Sequence, residues 1–145
     1  MIKAMNHVGV SVLSLDRSIR FYRDVLGMEV VRERTFWGNQ YELILGVNRP
    51  SGRLALMQAG TMRLELFEFS HPAPRRGDPL RPVCDHGITH FCIEVSDVDR
   101  EYERLKAAGV LFHCPPMEFS GIVKATYGRD PDGNIFELLE RCEGA

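Results

Sequence analysis

The sequence has no surplus of charge of either sign and no long apolar run. Its 145 residues include 18 Lys and Arg against 20 Asp and Glu, which gives a formal net charge of −2. Without a basic surplus, nucleic acid and anionic membrane surfaces are not expected as main partners. No apolar stretch reaches the roughly 18 residues that a membrane helix needs, and the N-terminal residues lack a signal-peptide pattern. We therefore expect a cytoplasmic protein that binds neither nucleic acid nor membranes.

The sequence also lacks paired cysteines and the common nucleotide and nucleophile motifs. Its four cysteines contain no C-x-x-C spacing, and two of them, Cys92 and Cys114, fall in or beside apolar runs. This pattern predicts reduced, mostly buried thiols rather than a disulfide framework. There is no G-x-S-x-G, no Walker loop and no dinucleotide fingerprint. Any chemistry must therefore come from other residues.

What the sequence does contain is an internal repeat. The stretches that begin at His7 and His90 share a Val five residues later, an Asp-Arg pair at offsets nine and ten, and a closing Gly. The two halves also end alike, because residues 64–68 read LELFE and residues 136–140 read FELLE. Agreement at so many positions indicates two copies of one unit.

The copies divide the chain into two modules joined by a linker. Module 1 covers about residues 1–69, a proline-rich linker covers about 70–85, and module 2 covers about 86–145. In each module the hydrophobic pattern predicts a strand, a helix and then further strands, which is an α+β organisation. We expect the modules to form one domain, because 145 residues can bury a single core.

Local signals predict where the elements begin and end. Ser14 and Ser96 are predicted N-caps, and a glycine ends each helix. Residues 130–133, which read Asp-Pro-Asp-Gly, predict a tight hairpin turn, and a second hairpin is expected to turn at 59–60. The segment 37–52 is predicted to hold one short helix and is a candidate lid.

Alternation along the strands places four polar residues on the face away from the helices. His7 and His90 point away from the apolar rows of their strands, and two glutamates do the same near the ends of the modules. When the apolar rows pack on the helices, these side chains converge on the concave face. Two imidazoles and two carboxylates match a divalent-metal site, and an ion would offset the cost of burying a carboxylate there. We therefore predict the metal ligands His7, Glu65, His90 and Glu137.

The remaining histidines and two neighbouring glutamates are assigned other roles. His86 is the rival of His90, but it precedes the apolar alternation, so His90 is preferred. Glu68 and Glu140 fall on helix-facing rows or strand ends and are predicted to be rim charges. His71 and His113 are predicted to be loop residues.

Three segments resemble the vicinal oxygen chelate superfamily, the group of glyoxalases, bleomycin-resistance proteins and extradiol dioxygenases. They read NHVGVSVLSLDRSIRFYRDVLGMEVV at 6–31, GITHFCIEVSDVD at 87–99 and GRDPDGNIFELLE at 128–140. The resemblance implies two βαβββ modules forming a curved, partly open mixed β-barrel with the helices outside. It also places the family's ligand slots on the four residues that the strand faces select.

The resemblance implies a function as well. Superfamily members with four protein ligands, glyoxalase I and methylmalonyl-CoA epimerase, are the most similar group. They imply a lyase or isomerase that binds one divalent ion (Zn, Ni, Co, Mn or Fe) and transfers a proton next to the carbonyl of a small molecule or thioester. By the same resemblance Glu137 is the catalytic base. A homodimer is expected, with ligands supplied by one chain or by two.

Two alternatives stay open at this point. An Fe(II) extradiol-type dioxygenase would use His7, His90 and Glu137 alone, and a metal-free binding or resistance protein would use none of the four. A glyoxalase also requires cations that face the carboxylates of glutathione. The basic candidates for that role are Arg34, Lys124 and Arg129.

Overall fold

The computed structural model describes residues 1–142, so the last residues of module 2 lie outside the described part. The chain divides into two compact units, unit 1 from residue 1 to 76 and unit 2 from residue 77 onward. Each unit contains one β-sheet with a helix packed on it. The predicted α+β class with two βαβββ modules is confirmed.

Unit 1 contains one four-stranded sheet. Its strand order is β1-β4-β3-β2, in which β1 runs parallel to β4 and the other neighbours are antiparallel. A helix, α2, is inserted between the second and third strands. The elements are β1 (Val8–Ser11), α1 (Leu15–Arg20), β2 (Glu29–Trp37), α2 (Asn39–Leu45), β3 (Ser51–Ala59) and β4 (Met62–His71).

Helix α1 packs on β3 and β4 and defines the two faces of the unit 1 sheet. On the helix face the strands bury alternate apolar residues, such as Leu64 and Leu66 of β4, and Leu15 and Tyr22 of the helical segment are fully buried as well. Burial of one such side chain stabilises the fold by about 1.5–3 kcal/mol. The opposite face, which we call the open face, carries Glu65 and Phe67. The period-two assignment of β4 is therefore correct.

The first helix begins where the sequence predicts. The hydroxyl of Ser14 accepts a hydrogen bond from the backbone N–H of Arg17 at 3.4 Å, which satisfies one donor that the helix itself cannot. The helix then widens into a π-helical turn, Phe21–Val25. It ends at Gly27, whose φ of +75° suits glycine better than any other residue.

Unit 2 repeats this plan with a divided edge strand. Its order is β5-β9-β8-β6, with the short strand β7 also paired to β8, and β5 runs parallel to β9. Helix α3 packs on β8 and β9. The elements are β5 (Phe91–Glu94), α3 (Val98–Ala107), β6 (Leu111–Phe112), β7 (Met117–Phe119), β8 (Val123–Arg129) and β9 (Ile135–Arg141).

The start of α3 corrects two sequence predictions. The N-cap is Asp97 and not Ser96, because the Asp97 carboxylate accepts the backbone N–H of Arg100 at 3.0 Å. Glu140 is also more than a rim charge, since its carboxylate accepts the backbone N–H of Val98 at 3.0 Å. Two carboxylates at a helix N-terminus also complement the helix dipole.

The segment before β5 is held against the predicted turn at residues 130–133. The guanidinium of Arg129 donates hydrogen bonds to the carbonyl oxygens of Pro79, Arg81 and Gly133, at 3.0–3.1 Å. A Cβ built on Gly133 would lie 2.2 Å from the carbonyl oxygen of Pro79, so only glycine fits this contact. Arg129 is therefore a structural residue here.

The cysteines differ from their prediction. They are unpaired, and three of them are exposed, including both Cys92 and Cys114. Cys92 lies on the open face of β5, and Cys114 lies in the loop after β6, so adjacency to apolar residues did not bury them. None of the helices in the described part of the chain combines the length and the apolar character that a membrane crossing requires.

Candidate metal centre

In unit 1 the structure brings His7 together with Glu65. The distance from His7 Nε2 to Glu65 Oε2 is 3.5 Å. His7 comes just before β1, and the parallel register pairs Gly9 of β1 with Glu65 of β4. The histidine and the glutamate therefore meet because two parallel strands, distant in sequence, lie side by side.

In unit 2 the structure brings His90 together with Glu137 in the same way. The distance from His90 Nε2 to Glu137 Oε2 is 3.1 Å. His90 comes just before β5, and Cys92 of that strand pairs in register with Glu137 of β9. The two His–Glu pairs thus occupy equivalent places in the two modules.

Each imidazole is oriented by the residue that precedes it. His7 Nδ1 lies 3.0 Å from the Asn6 side-chain oxygen, and His90 Nδ1 lies 3.0 Å from the Thr89 hydroxyl. Where Nδ1 donates the hydrogen bond, the lone pair is on Nε2, so Nε2 would be the nitrogen that binds a metal ion. Metal-ligating histidines typically use their second nitrogen in this way. Sequence reasoning missed both partners, although a polar residue directly before each histidine is visible in the sequence.

The neighbours of the two glutamates are different. Glu65 lies between Gly9 and Leu56, its register partners on the adjacent strands. Glu137 lies between Cys92 and Tyr127, which bring a thiol and an aromatic ring to the pair. The pair in unit 2 is therefore the more enclosed of the two.

These neighbours stay protonated near neutral pH. Although Cys92 is exposed as a residue, the atoms around its sulfur partly desolvate it, and this desolvation together with the Glu137 carboxylate raises the pKa of the thiol to about 12. Partial burial and the same carboxylate also raise the pKa of the Tyr127 phenol. Neither Cys92 nor Tyr127 therefore offers a negatively charged base beside Glu137 near neutral pH.

The other histidines take separate positions. His71 is the last residue of β4, so its prediction as a loop residue is wrong. His113 does lie in a loop, where burial and the charge of Arg129 lower its pKa, and its ring lies 6.1 Å from that of Tyr127. His86 lies in the irregular segment before β5.

Unit 1 also contains a cavity of about 540 Å³ beside the candidate lid segment. Its lining includes Trp37, Glu42 and Arg49 from that segment, and His71 from the end of β4. Helix α2 itself packs over the open face through Tyr41, whose ring lies 5.2 Å from that of Phe36. Neither His7 nor Glu65 lines this cavity, which keeps it apart from the His–Glu pair.

The three basic candidates have different surroundings. Lys124 forms an ion pair with Asp99 on the helix face of unit 2, and Arg129 donates to the carbonyl oxygens described above. Arg34 pairs in register with Leu54 of β3, which in turn pairs with Phe67, so it shares the open face with Glu65. Arg129 likewise lies two residues from Tyr127, the register partner of Glu137, so Arg34 and Arg129 each share the sheet face of a His–Glu pair and Lys124 does not.

Each unit holds one His–Glu pair. Among residues 1–142, no group of three or more His, Cys, Asp or Glu side chains is arranged to hold a metal ion. Each unit offers one neutral nitrogen and one carboxylate oxygen, the donor types that divalent transition metals accept. Each pair therefore provides two donor atoms of the kinds that metal ions bind.

Comparison with known proteins identifies the family. The sequence profile of the Glyoxalase/Bleomycin resistance protein/Dioxygenase superfamily matches residues 4–138. The chain belongs to this superfamily. The matched segment includes all four residues of the two His–Glu pairs.

Relatives within the superfamily include named enzymes. A lactoylglutathione lyase of Arabidopsis thaliana is 28% identical over 138 residues, which cover 93% of this chain and 43% of the relative. A 2-epi-5-epi-valiolone epimerase of an Actinomyces species is 33% identical over 108 residues, covering 72% of this chain and 58% of the relative. The chain thus spans about half the length of these curated relatives.

A solved structure from the superfamily supports the fold. The glyoxalase family protein of Bacillus cereus superposes with a TM-score of 0.90 at 23% sequence identity. The alignment covers 98% of this chain and 96% of the Bacillus cereus chain. At this level of identity the similarity establishes the fold, and the reaction must be argued from the residues.

Proposed function

We propose that this protein is a divalent-metal-dependent lyase or isomerase that transfers a proton at the carbon next to a carbonyl group. The observation that carries the proposal is the pair of equivalent His–Glu contacts, one in each unit. Superfamily relatives named as a lactoylglutathione lyase and an epimerase support a reaction of this class. The substrate is proposed to be a small carbonyl compound or thioester.

The residues fit one divalent ion. His7 and His90 would supply two neutral nitrogens, and Glu65 and Glu137 would supply two carboxylate oxygens. This mixed donor set suits Zn, Ni, Co, Mn and Fe ions alike. When bound, the ion would act as a Lewis acid that polarises the substrate carbonyl, a contribution of several kcal/mol.

We assign the proton transfer to Glu137. Its side chain is only 15% exposed, and its neighbours Cys92 and Tyr127 are held in their neutral forms. Glu137 is thus the carboxylate among these neighbours, and it lies beside the imidazole of His90. A carboxylate in that position takes a proton from the carbon next to the carbonyl and later returns it.

We further propose that the protein is a cytoplasmic homodimer in which each metal site combines two half-sites, His7 with Glu65 and His90 with Glu137, from different copies. Each copy contributes one half-site from unit 1 and one from unit 2. Two copies related by a twofold axis would supply two complete four-ligand sets, because an isologous interface exchanges the same residues in both directions.

The test is metal analysis of protein purified without a chelator. Wild-type protein is expected to retain one divalent ion per chain, and Glu65→Gln and Glu137→Gln are expected to lose it, because a neutral amide is a weaker ligand. Glu94→Gln is the matched control, since Glu94 lies on the neighbouring strand β5 and pairs with Arg141 instead. Wild-type protein that binds no divalent ion better than the two variants would refute the proposal.

Two further measurements separate the alternative functions. Oxygen uptake with catechols that survives Glu65→Gln would favour an Fe(II) dioxygenase that uses His7, His90 and Glu137. Ligand binding that EDTA leaves unchanged would favour a metal-free binding protein. The proposed lyase or isomerase predicts neither result.

A further inference from the structure

The ring of Tyr127 packs against the imidazole of His90. Their centroids are 4.7 Å apart and the planes are inclined by 34°, a tilted stack. Aromatic pairs at this separation attract each other by about 0.5–1.5 kcal/mol beyond the area they bury. Tyr127 therefore restricts the rotation of the His90 ring.

Two other contacts hold the same imidazole. The Thr89 hydroxyl lies 3.0 Å from His90 Nδ1, and the Glu137 carboxylate lies 3.1 Å from Nε2. Tyr127 is also the register partner of Glu137 on the neighbouring strand. One aromatic residue thus touches the histidine and flanks the glutamate of the same pair.

Tyr127 is itself fixed by the strand that carries it. It lies in the middle of β8, between β9 on one side and the residues around β6 on the other. Its backbone carbonyl accepts a hydrogen bond from the N–H of His113 at 2.9 Å. A residue paired on both sides is a rigid support for a neighbouring ring.

The equivalent place in unit 1 is occupied by an aliphatic residue instead of an aromatic one. Leu56 is the register partner of Glu65 there, and Gly9 stands where unit 2 has Cys92. The His7 side chain is 42% exposed against 25% for His90, and the His–Glu distance is 3.5 Å against 3.1 Å. The two half-sites therefore differ in how firmly their ligands are held.

We propose that Tyr127 is a positioning residue that holds His90 and Glu137 in place, so that unit 2 provides the pre-organised half of the metal centre. The hydroxyl of Tyr127 is not required for this role, because the contact is made by the ring. The metal-binding part of this inference rests on the proposed function.

The first test uses metal-free protein and nuclear magnetic resonance of the histidine rings. In wild-type protein and in Tyr127→Phe, the His90 imidazole is expected to give one ordered set of signals from a single tautomer or protonation state. In Tyr127→Leu, which copies the residue found at position 56, those signals are expected to broaden or show mixed tautomers while the His7 signals stay unchanged. Unchanged His90 signals in Tyr127→Leu would overturn the inference.

The second test is titration of the same proteins with Co²⁺. Tyr127→Leu is expected to bind Co²⁺ about 10–100-fold more weakly, as observed when residues that support a metal ligand are removed, and Tyr127→Phe is expected to match wild type. Equal affinity in all three proteins would contradict the positioning role. Absence of Co²⁺ binding by the wild type would refute the proposed function instead, and the ring signals would still decide the role of Tyr127.

A variant in unit 1 tests the same positioning role when Tyr127→Leu does not fold. Leu56→Tyr places an aromatic ring at the equivalent position of unit 1, beside Glu65. It is expected to sharpen the His7 signals and leave those of His90 unchanged. His7 signals as mobile as in the wild type would count against the inference.

Discussion

Units 1 and 2 build their His–Glu pairs on the same arrangement of strands, but the residues that flank the two pairs are different. In both units a histidine precedes the first strand, and the glutamate lies on the parallel strand next to it. The flanking residues are Gly9 and Leu56 in one unit and Cys92 and Tyr127 in the other. Strand pairing thus fixes which side chains meet, and the flanking residues adjust how firmly they are held.

The two units also differ in the strands at the outer edge of the sheet. Unit 1 has one continuous edge strand, β2, followed by α2, whereas unit 2 has the short strands β6 and β7 in its place. Both edges pair with the third strand of their module. Variation is therefore concentrated at the edge farthest from the strands that bear the ligands.

The largest effect is expected when each His–Glu pair is removed in a different variant and the two variants are then mixed. A variant with His7→Ala and Glu65→Gln lacks the first pair, and one with His90→Ala and Glu137→Gln lacks the second, so neither should bind metal alone. Dissociated and reassociated together, they should recover about a quarter of the wild-type sites, because half of the dimers are mixed and each holds one intact site. The measurement is bound metal per chain after mixing. A mixture that remains metal-free would show that the half-sites are not shared between copies.

A smaller effect, on the free energy of unfolding, is expected from replacing the glycines of the two hairpin turns. Gly133→Ala is expected to lower the free energy of unfolding by about 2–4 kcal/mol, because the new Cβ collides with Pro79 and the backbone has a φ of +86°. Gly60→Ala is the matched control, with a φ of +55° and no atom within 4 Å, and should cost about 1–2 kcal/mol. Urea denaturation of both variants measures the difference. Equal losses would mean that the contact with Pro79 does not contribute.

The smallest effect is expected from the residues that orient the imidazoles. Asn6→Ala and Thr89→Val each remove one hydrogen bond to Nδ1 and should weaken metal binding by about tenfold. The loss should be greater for Asn6→Ala, since His90 is also held by Tyr127 and His7 has no equivalent ring. Competitive titration with a chelator measures both affinities. A greater loss for Thr89→Val would contradict the proposed difference between the units.

Local patterns predicted the elements well where the signal is short-range. Ser14 caps α1, Gly27 follows the first helix, and the turn at 130–133 joins β8 to β9 as expected. Each of these depends on the conformational preferences of a few adjacent residues. The error at Ser96 has the same origin, because Ser96 and Asp97 are both good caps and only the position of the first helical turn decides between them.

Contacts between distant residues were harder to predict. Alternation placed Glu140 on the helix side of its strand, but its hydrogen bond to Val98 depends on where α3 lies on the sheet. Arg129 resembled a free surface cation, yet its carbonyl partners come from residues about 50 positions away. Sequence patterns do not specify such partners, because they depend on how loops pack on a sheet.

The sequence by itself determined the duplication, the α+β class and the faces on which His7, Glu65, His90 and Glu137 lie, because these follow from period-two alternation and local turn chemistry. Only the tertiary structure decided that each histidine meets the glutamate of its own module and that the ring of Tyr127 packs against the imidazole of His90. The physical reason is strand register. Side chains on different strands become neighbours through backbone hydrogen bonds between segments far apart in the chain, and no local pattern encodes that pairing.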